Sequence, residues 1–191
     1  NLNNRIENAF LQSEAVMRVA CNEYILDFLE NYFDEPVFPF QTLNFERGSG
    51  QRLHSDFYHF ASSEFSKMVG VWVALEDISN DSGPLLVCPF SHKLPYIFPE
   101  DIKLKSGSKK EPYKFYSKYE DYIENLVKER NLETKKVTLS KGEILVWHSN
   151  LIHGGAQVVN KNSTRLSQVT HYFTKGHFYF SPISSRRNFL F

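Results

Sequence analysis

From Gln41 onward the chain is cut into short runs of β-branched and aromatic residues separated by turn-forming clusters. "QTLNFE", "MVGVWVALEDI" (Met68 to Ile78), "LLVCPFSH", "KKVTLS", "GEILVWHS", "LIHGGAQVV" and "RLSQVTHYF" all read as strands. "RGSG", "SNDSGP", a Lys-Gly pair and "NKNST" punctuate them. Many short strands with polar turns between them must bury their apolar faces against one another. The pattern predicts a mainly β fold, a sandwich or jelly roll, with any helices packed outside it.

Two segments depart from that pattern. Residues 5–32 predict helix, possibly in two pieces. Ile6, Phe10, Leu11, Val16, Val19, Ile25, Phe28 and Leu29 recur there at roughly helical spacing, and Pro36 and Pro39 end the run. This gives a helical flank over residues 1–35. Residues 99–134 are polar, rich in lysine and punctuated by Gly and Ser, with a helix predicted from about Ser117 to Arg130. The segment is longer than an ordinary connection and reads as an insertion at one end of the sheets. Two roles fit it: a lid whose Tyr113, Tyr116, Tyr119 and Tyr122 meet a small ligand, or a solvated excursion.

With 191 residues and no internal repeat, the chain is expected to form one domain over 1–191. Lys+Arg and Asp+Glu both number 22, so there is no basic excess to attract nucleic acid. No apolar run approaches a membrane span, so no membrane partner is expected. The 2 cysteines, Cys21 and Cys88, are far apart and form neither a zinc motif nor a disulfide framework. They read as reduced thiols of a cytoplasmic protein. The chain opens on Asn1 rather than Met, which predicts that a natural segment precedes it.

The chemistry concentrates in two places. In "RLHSDFYHF" an extended backbone turns His54 and Asp56 to one face and Ser55 to the other. Alone, this pair fits an exposed, hydrogen-bonded His–Asp couple as well as a metal site. In "NLIHGGAQ", His153 follows a strand-like run, and Gly154 and Gly155 allow close backbone approach. Two imidazoles and one carboxylate on one face of an ion leave positions open, which is the donor set for non-haem Fe(II) and oxygen. One carboxylate leaves a divalent ion with net positive charge, favouring an anionic co-ligand. Arg165, if "NKNST" is a hairpin turn, lies on the strand beside that of His153. There it fits either a carboxylate clamp or an exposed strand arginine. Ser167, two residues on, would share its face.

The H-x-D pair, the distant His and the following Arg resemble the Fe(II)/2-oxoglutarate oxygenases, and more closely the phytanoyl-CoA dioxygenase family. The stretches that carry the resemblance are "RLHSDFYHF", "VGVWVALEDISNDSGPLLVCPFSHK" and "GEILVWHSNLIHGGAQVVNKNSTRLSQV". Together they span roughly residues 41–173. The sequence departs from the family at Pro89-Phe90-Ser91-His92, where the family has Pro-Gly-Ser-His, and at Gly155, where a hydroxyl residue is usual.

The resemblance implies a double-stranded β-helix (jelly roll, cupin-like) with the metal at its open end. It implies His54, Asp56 and His153 as catalytic metal ligands and Arg165 as the clamp for the far carboxylate of 2-oxoglutarate. Ser167, Trp72, Gln41 and Leu43 are further co-substrate candidates, and Gln51 is a weaker one. For Trp72, Gln41, Leu43 and Gln51, core packing is an equally good reading. His59 and Tyr58 are candidates to face substrate. His92, His148, His171 and His177 read as hydrogen-bonded or exposed.

The implied cofactors are Fe(II), 2-oxoglutarate and O2, and the implied partner is a small-molecule substrate. With Asp56 present, hydroxylation is implied over halogenation. No motif for coenzyme A is visible. Two other classes stay open: a metal-binding jelly roll without oxygenase activity, and a cupin-type isomerase or sugar-binding protein. The second usually carries an H-x-H pair, and none occurs here.

Overall fold

A computed structural model describes residues 5–104 and 113–184. In chain order the strands are β1 (Arg5–Glu7), β2 (Val37–Phe45), β3 (Ala61–Ser62), β4 (Met68–Ala74) and β5 (Leu85–Val87), followed by β6 (Lys135–Val137), β7 (Ile144–His148), β8 (His153–Gly155), β9 (Ser167–Thr174) and β10 (Tyr179–Phe180). A 5-stranded sheet runs β1-β2-β9-β4-β7 and faces a 3-stranded sheet, β6-β5-β8. The pairings are antiparallel. Leu43, Phe45, Trp72 and Val169 from the larger sheet close on Leu85, Val87 and Val137 from the smaller one. The chain is thus a mainly β jelly roll, a double-stranded β-helix, and its inner apolar positions make the core between the layers.

Helices α1 (Glu14–Ala20) and α2 (Glu23–Phe33) form the flank. Asn22 caps α2 by accepting the N–H groups of Tyr24 and Ile25, and Asp34 ends it in the left-handed region at φ 54°. Ile25 and Leu29 pack on Val37, Val69, Val71 and Tyr172, on the outer face of the large sheet. The helical expectation fails at its start. Residues 5–7 are strand, with Arg5 opposite Phe45 in register, and Ile6 is exposed. Ile6 sits at a helical interval from Phe10, but an available sheet edge outweighs the spacing of so short a segment. At the other end, β2 begins at Val37 and runs through Pro39. The missing N–H is accommodated by a register shift between Pro39 and Gln41, beyond the reach of β1.

Helix α3 (Tyr116–Glu129) lies within one residue of the expected bounds. Its buried face, Tyr119, Ile123 and Val127, packs on Tyr58, Cys88 and Ile152. The preceding stretch, residues 105–112, lies outside the described residues.

The expected hairpin between the strands of His153 and Arg165 does not form. Strand β8 pairs with β5 in the small sheet, whereas β9 pairs with β2 and β4 in the large one. "NKNST" is a turn, but the chain uses it to cross between layers. The Lys-Gly turn does likewise, with Gly142 at φ 89°, since β6 and β7 belong to opposite sheets. Among the described residues no helix is long and apolar enough to cross a membrane.

Candidate metal centre

His54 and His153 face each other in an isolated antiparallel bridge. Each backbone N–H donates to the other's carbonyl at 2.9 Å. Ser55 is extended (φ −116°, ψ 144°) and Asp56 then opens a short 3-10 turn, Asp56–Tyr58. One extended residue is enough to turn His54 and Asp56 to the same side, without the regular strand the alternation argument assumes. One ligand atom from each of His54, Asp56 and His153 lies within 4.8 Å of the others, and all three residues are buried. Both Nε2 atoms stand 3.8 Å from Oδ1 of Asp56.

The surroundings fix the chemistry of these three groups. Nδ1 of His54 bonds the Arg52 carbonyl at 2.8 Å, and Nδ1 of His153 bonds the Leu151 carbonyl at 3.0 Å. A carbonyl accepts only, so both rings carry a proton on Nδ1 and turn Nε2 toward Asp56. Oδ2 of Asp56 accepts the Trp147 indole N–H at 2.7 Å and stands 3.4 Å from Nε2 of His171. One carboxylate oxygen is therefore held and the other faces the two imidazoles. Burial, and then the neighbouring His153, lower the pKa of His54 to about 3, so its lone pair stays free of protons at neutral pH. Burial raises the Asp56 pKa, but His153 and His171 outweigh it and hold the carboxyl well below its ordinary range.

The cluster opens into a cavity of about 600 Å³, which Arg165, Gln41, Leu43, Gln51, His59 and His171 also line. Arg165 is 1% exposed. Its Nη1 donates to the Gly83 carbonyl at 3.2 Å, its guanidinium carbon lies 4.9 Å from the Phe45 ring centre and 5.6 Å from that of Trp72, and its Nε has no partner. No carboxylate pairs with it among the described residues. A buried guanidinium with an unused donor thus lines the same cavity as the triad.

Gln41 and Leu43 line the cavity, Leu43 also belonging to the core, and Gln41 accepts the Nδ1–H of His171 at 2.8 Å. Gln51 Nε2 lies 3.1 Å from Nε2 of His54. Trp72 and Ser167 do not line the cavity. Trp72 is core and meets the guanidinium only through its ring, and the Ser167 hydroxyl donates to the Arg165 carbonyl at 3.2 Å. Tyr58 also stays outside, stacked on Tyr119, whereas His59 is a wall residue 2.9 Å from the Tyr116 hydroxyl.

Trp147 and His171 both line the cavity and reach Oδ2 of Asp56, and neither is among the site residues expected from the sequence. His171 continues the inward alternation Arg165, Val169, His171, a signal at period two that the β9 run contains. Trp147 has no such signal, because its contact with Asp56 depends on β4 glycine 70 lying opposite in register. A Cβ at Gly70 would stand 2.3 Å from the indole ring.

A jelly roll presenting two imidazoles and one carboxylate, with a buried arginine in the same cavity, defines a class: cupin-like proteins with a facial-triad donor set. The chain belongs to the phytanoyl-CoA dioxygenase family, whose model, "Phytanoyl-CoA dioxygenase (PhyH)", it matches over residues 2–166. It is 27% identical over 158 residues to the peroxisomal phytanoyl-CoA dioxygenase of Homo sapiens, covering 78% of this chain and 43% of the human protein. The Rattus norvegicus enzyme gives 26% over 155 residues, with 78% and 43% covered. The chain thus spans less than half the length of these curated relatives.

Among solved structures it is similar to the non-heme alpha ketoglutarate dependent epimerase SnoN from nogalamycin biosynthesis. The TM-score is 0.66 at 20% identity, covering 97% of this chain and 66% of SnoN. EctD from S. alaskensis, solved with 2-oxoglutarate and 5-hydroxyectoine, gives a TM-score of 0.69 at 17% identity, covering 96% and 61%. These two likenesses carry the fold.

Proposed function

We propose that the protein is an Fe(II)- and 2-oxoglutarate-dependent dioxygenase that hydroxylates a small-molecule substrate. The observation that carries this reading is the convergence of three ligand atoms, one each from His54, Asp56 and His153, in the cavity that also holds the partnerless Nε of Arg165. The donor set fits iron: imidazole and carboxylate suit a borderline ion, and three protein ligands leave sites for co-substrate and oxygen. When bound, the iron and 2-oxoglutarate supply the oxidant, so that substrate R–H, 2-oxoglutarate and O2 become R–OH, succinate and CO2.

The chain's own residues do the rest. His54 and His153 offer lone pairs fixed by their Nδ1 bonds, and Trp147 steadies Asp56 so that Oδ1 remains the ligand oxygen. The Gln51 amide donates to Nε2 of His54 in this structure, the same atom that would hold the metal. Arg165 receives the far carboxylate of 2-oxoglutarate, its burial between aromatic rings excluding water from the ion pair. The apolar wall from Leu43, Phe45, Phe60 and Val169 limits water in the cavity, and Tyr113, Tyr116 and Glu120 of the insertion also line it.

A small substrate suits a cavity of about 600 Å³. The ligands named with SnoN and EctD, nogalamycin RO and 5-hydroxyectoine, support that scale. A cytoplasmic setting is part of the same reading, supported by Cys21 and Cys88, which are free thiols.

The test is succinate formation from 2-oxoglutarate under air, with Fe(II) added to chelator-treated protein. Release that needs both Fe(II) and the intact triad supports the reading, and addition of one oxygen atom to a substrate establishes hydroxylation. A protein that binds iron but forms no succinate above an Asp56→Ala background is a metal-binding jelly roll instead.

A further inference from the structure

The two ligands of the H-x-D pair are joined through Ser55, and Ser55 does not hold itself in place. Its backbone N–H donates to the hydroxyl of Tyr119 at 3.0 Å, and its own hydroxyl is 3.0 Å from the same oxygen. Tyr119 belongs to α3, in the insertion, and is fully buried. It does not line the cavity, so this hydroxyl faces the metal-ligand backbone rather than substrate. Its ring stacks on Tyr58, with centres 3.6 Å apart and planes 9° from parallel.

The same helix grips the segment at both ends. Before the pair, Arg52 donates to Glu124 at 2.8 Å and to Asp121 at 2.7 Å, and its carbonyl accepts from His54 Nδ1. After it, His59 meets the Tyr116 hydroxyl at 2.9 Å. The two outer ties are made by side chains reaching α3. Among these contacts the Tyr119 bond alone acts on the peptide between the ligands.

We propose that Tyr119 is a positioning residue of the metal centre, fixing the Ser55 peptide so that His54 and Asp56 point at one ion. The inference rests on the reading of the triad as a metal site. The mechanism is geometric. The Ser55 torsions set the angle between the two side chains, and a buried N–H whose acceptor is removed must find another by rotating. Outer groups that orient ligands typically govern metal affinity by 10–100-fold. Because Tyr116 and Glu120 of the same helix line the cavity, a ligand that presses on α3 also acts on the metal ligands through Tyr119.

The test is Co(II) and Fe(II) titration, with exclusion of air for iron, of chelator-treated wild type, Tyr119→Phe and Tyr58→Leu. Tyr119→Phe keeps the ring and its stack, so it folds, and it loses only the hydroxyl. Tyr58→Leu loses the stack and keeps the hydroxyl on Ser55. Support is a metal affinity at least tenfold weaker in Tyr119→Phe, with Tyr58→Leu within about twofold of wild type despite a lower Tm. Wild-type affinity in Tyr119→Phe, or equal weakening in both variants, overturns the proposal, the latter because packing then explains it. If wild type takes up neither metal, the triad reading falls and this proposal falls with it.

Discussion

On the proposed reading each group around the triad has a single task, which makes single substitutions informative. Arg165 can offer a carboxylate two parallel N–H donors, and an ammonium on a flexible stem offers one direction at a time. Arg165→Lys is expected to raise the apparent KM for 2-oxoglutarate at least tenfold while leaving metal affinity near wild type. An unchanged KM would remove Arg165 from the co-substrate site. Trp147→Phe deletes the N–H that holds Oδ2 of Asp56 and leaves a buried carboxylate oxygen short of a donor. Metal affinity should drop by about 10–100-fold and stability by about 1–3 kcal/mol. Titration of the variant with Co(II), beside a urea melt, reads both.

Phe90 stands where the family has glycine and takes the glycine conformation anyway, at φ 66° with its side chain exposed. The turn is therefore kept, and Ser91 still accepts the Ile152 N–H at 2.8 Å, just ahead of His153. Phe90→Gly relieves a left-handed residue and should stabilise the fold by about 1 kcal/mol. A lower melting temperature would show that the exposed ring, which Lys93 overlies at 5.4 Å, contributes more than the strain costs.

Elements that rest on neighbours in sequence were legible, and those that rest on neighbours in space were not. Helix α3 announces itself by the spacing of Tyr119, Ile123 and Val127, and the H-x-D pair by one extended residue. The partner of β8 cannot be read locally, because from β6 to β9 each strand lies in the sheet opposite the one before it. Arg165 reaches the cavity from β2 and β4's side of the molecule, not from a hairpin with His153. The match between Gly70 and Trp147 is of the same kind, visible only once β4 and β7 are in register. Gly70→Ala forces a methyl into the indole, and overpacking of this sort costs about 1–3 kcal/mol. Because the displaced ring is the donor to Asp56, metal affinity should fall too. The double variant with Trp147→Phe should lose less than the sum of the two single losses. Additive losses in the titration would mean that Gly70 and the metal centre are independent.

At the scale of the whole molecule, the centre places two uncharged histidines in the interior, and this couples folding to pH. Burial first, then the neighbouring His153, lowers His54 from 6.5 to about 3, and burial lowers His59 from 6.5 to about 4. Below pH 6.5 the unfolded chain takes up protons at both positions and the folded chain does not. Stability is therefore full above 6.5 and is lost as the pH falls from there toward about 4. Between pH 7.5 and 5.5 the depressed carboxylates, Asp56 and Glu35, add almost nothing, since their ordinary values are 3.8 and 4.5 and their contribution is lost only as the pH falls below about 5.

One pH unit below its unfolded value, each such histidine costs about 1.4 kcal/mol. Chelator-treated protein should therefore be about 2–3 kcal/mol less stable at pH 5.5 than at pH 7.5. A divalent ion bound only by the folded state adds about 2.7 kcal/mol at a hundredfold excess over Kd. Co(II) should thus raise the melting temperature at pH 7.5 and still do so at pH 5.5, because His54 stays unprotonated in the folded chain at both values. Urea melts at the two pH values, with and without Co(II), separate the contributions. Equal stability of the metal-free protein at both would mean that His54 and His59 are not buried as neutral groups.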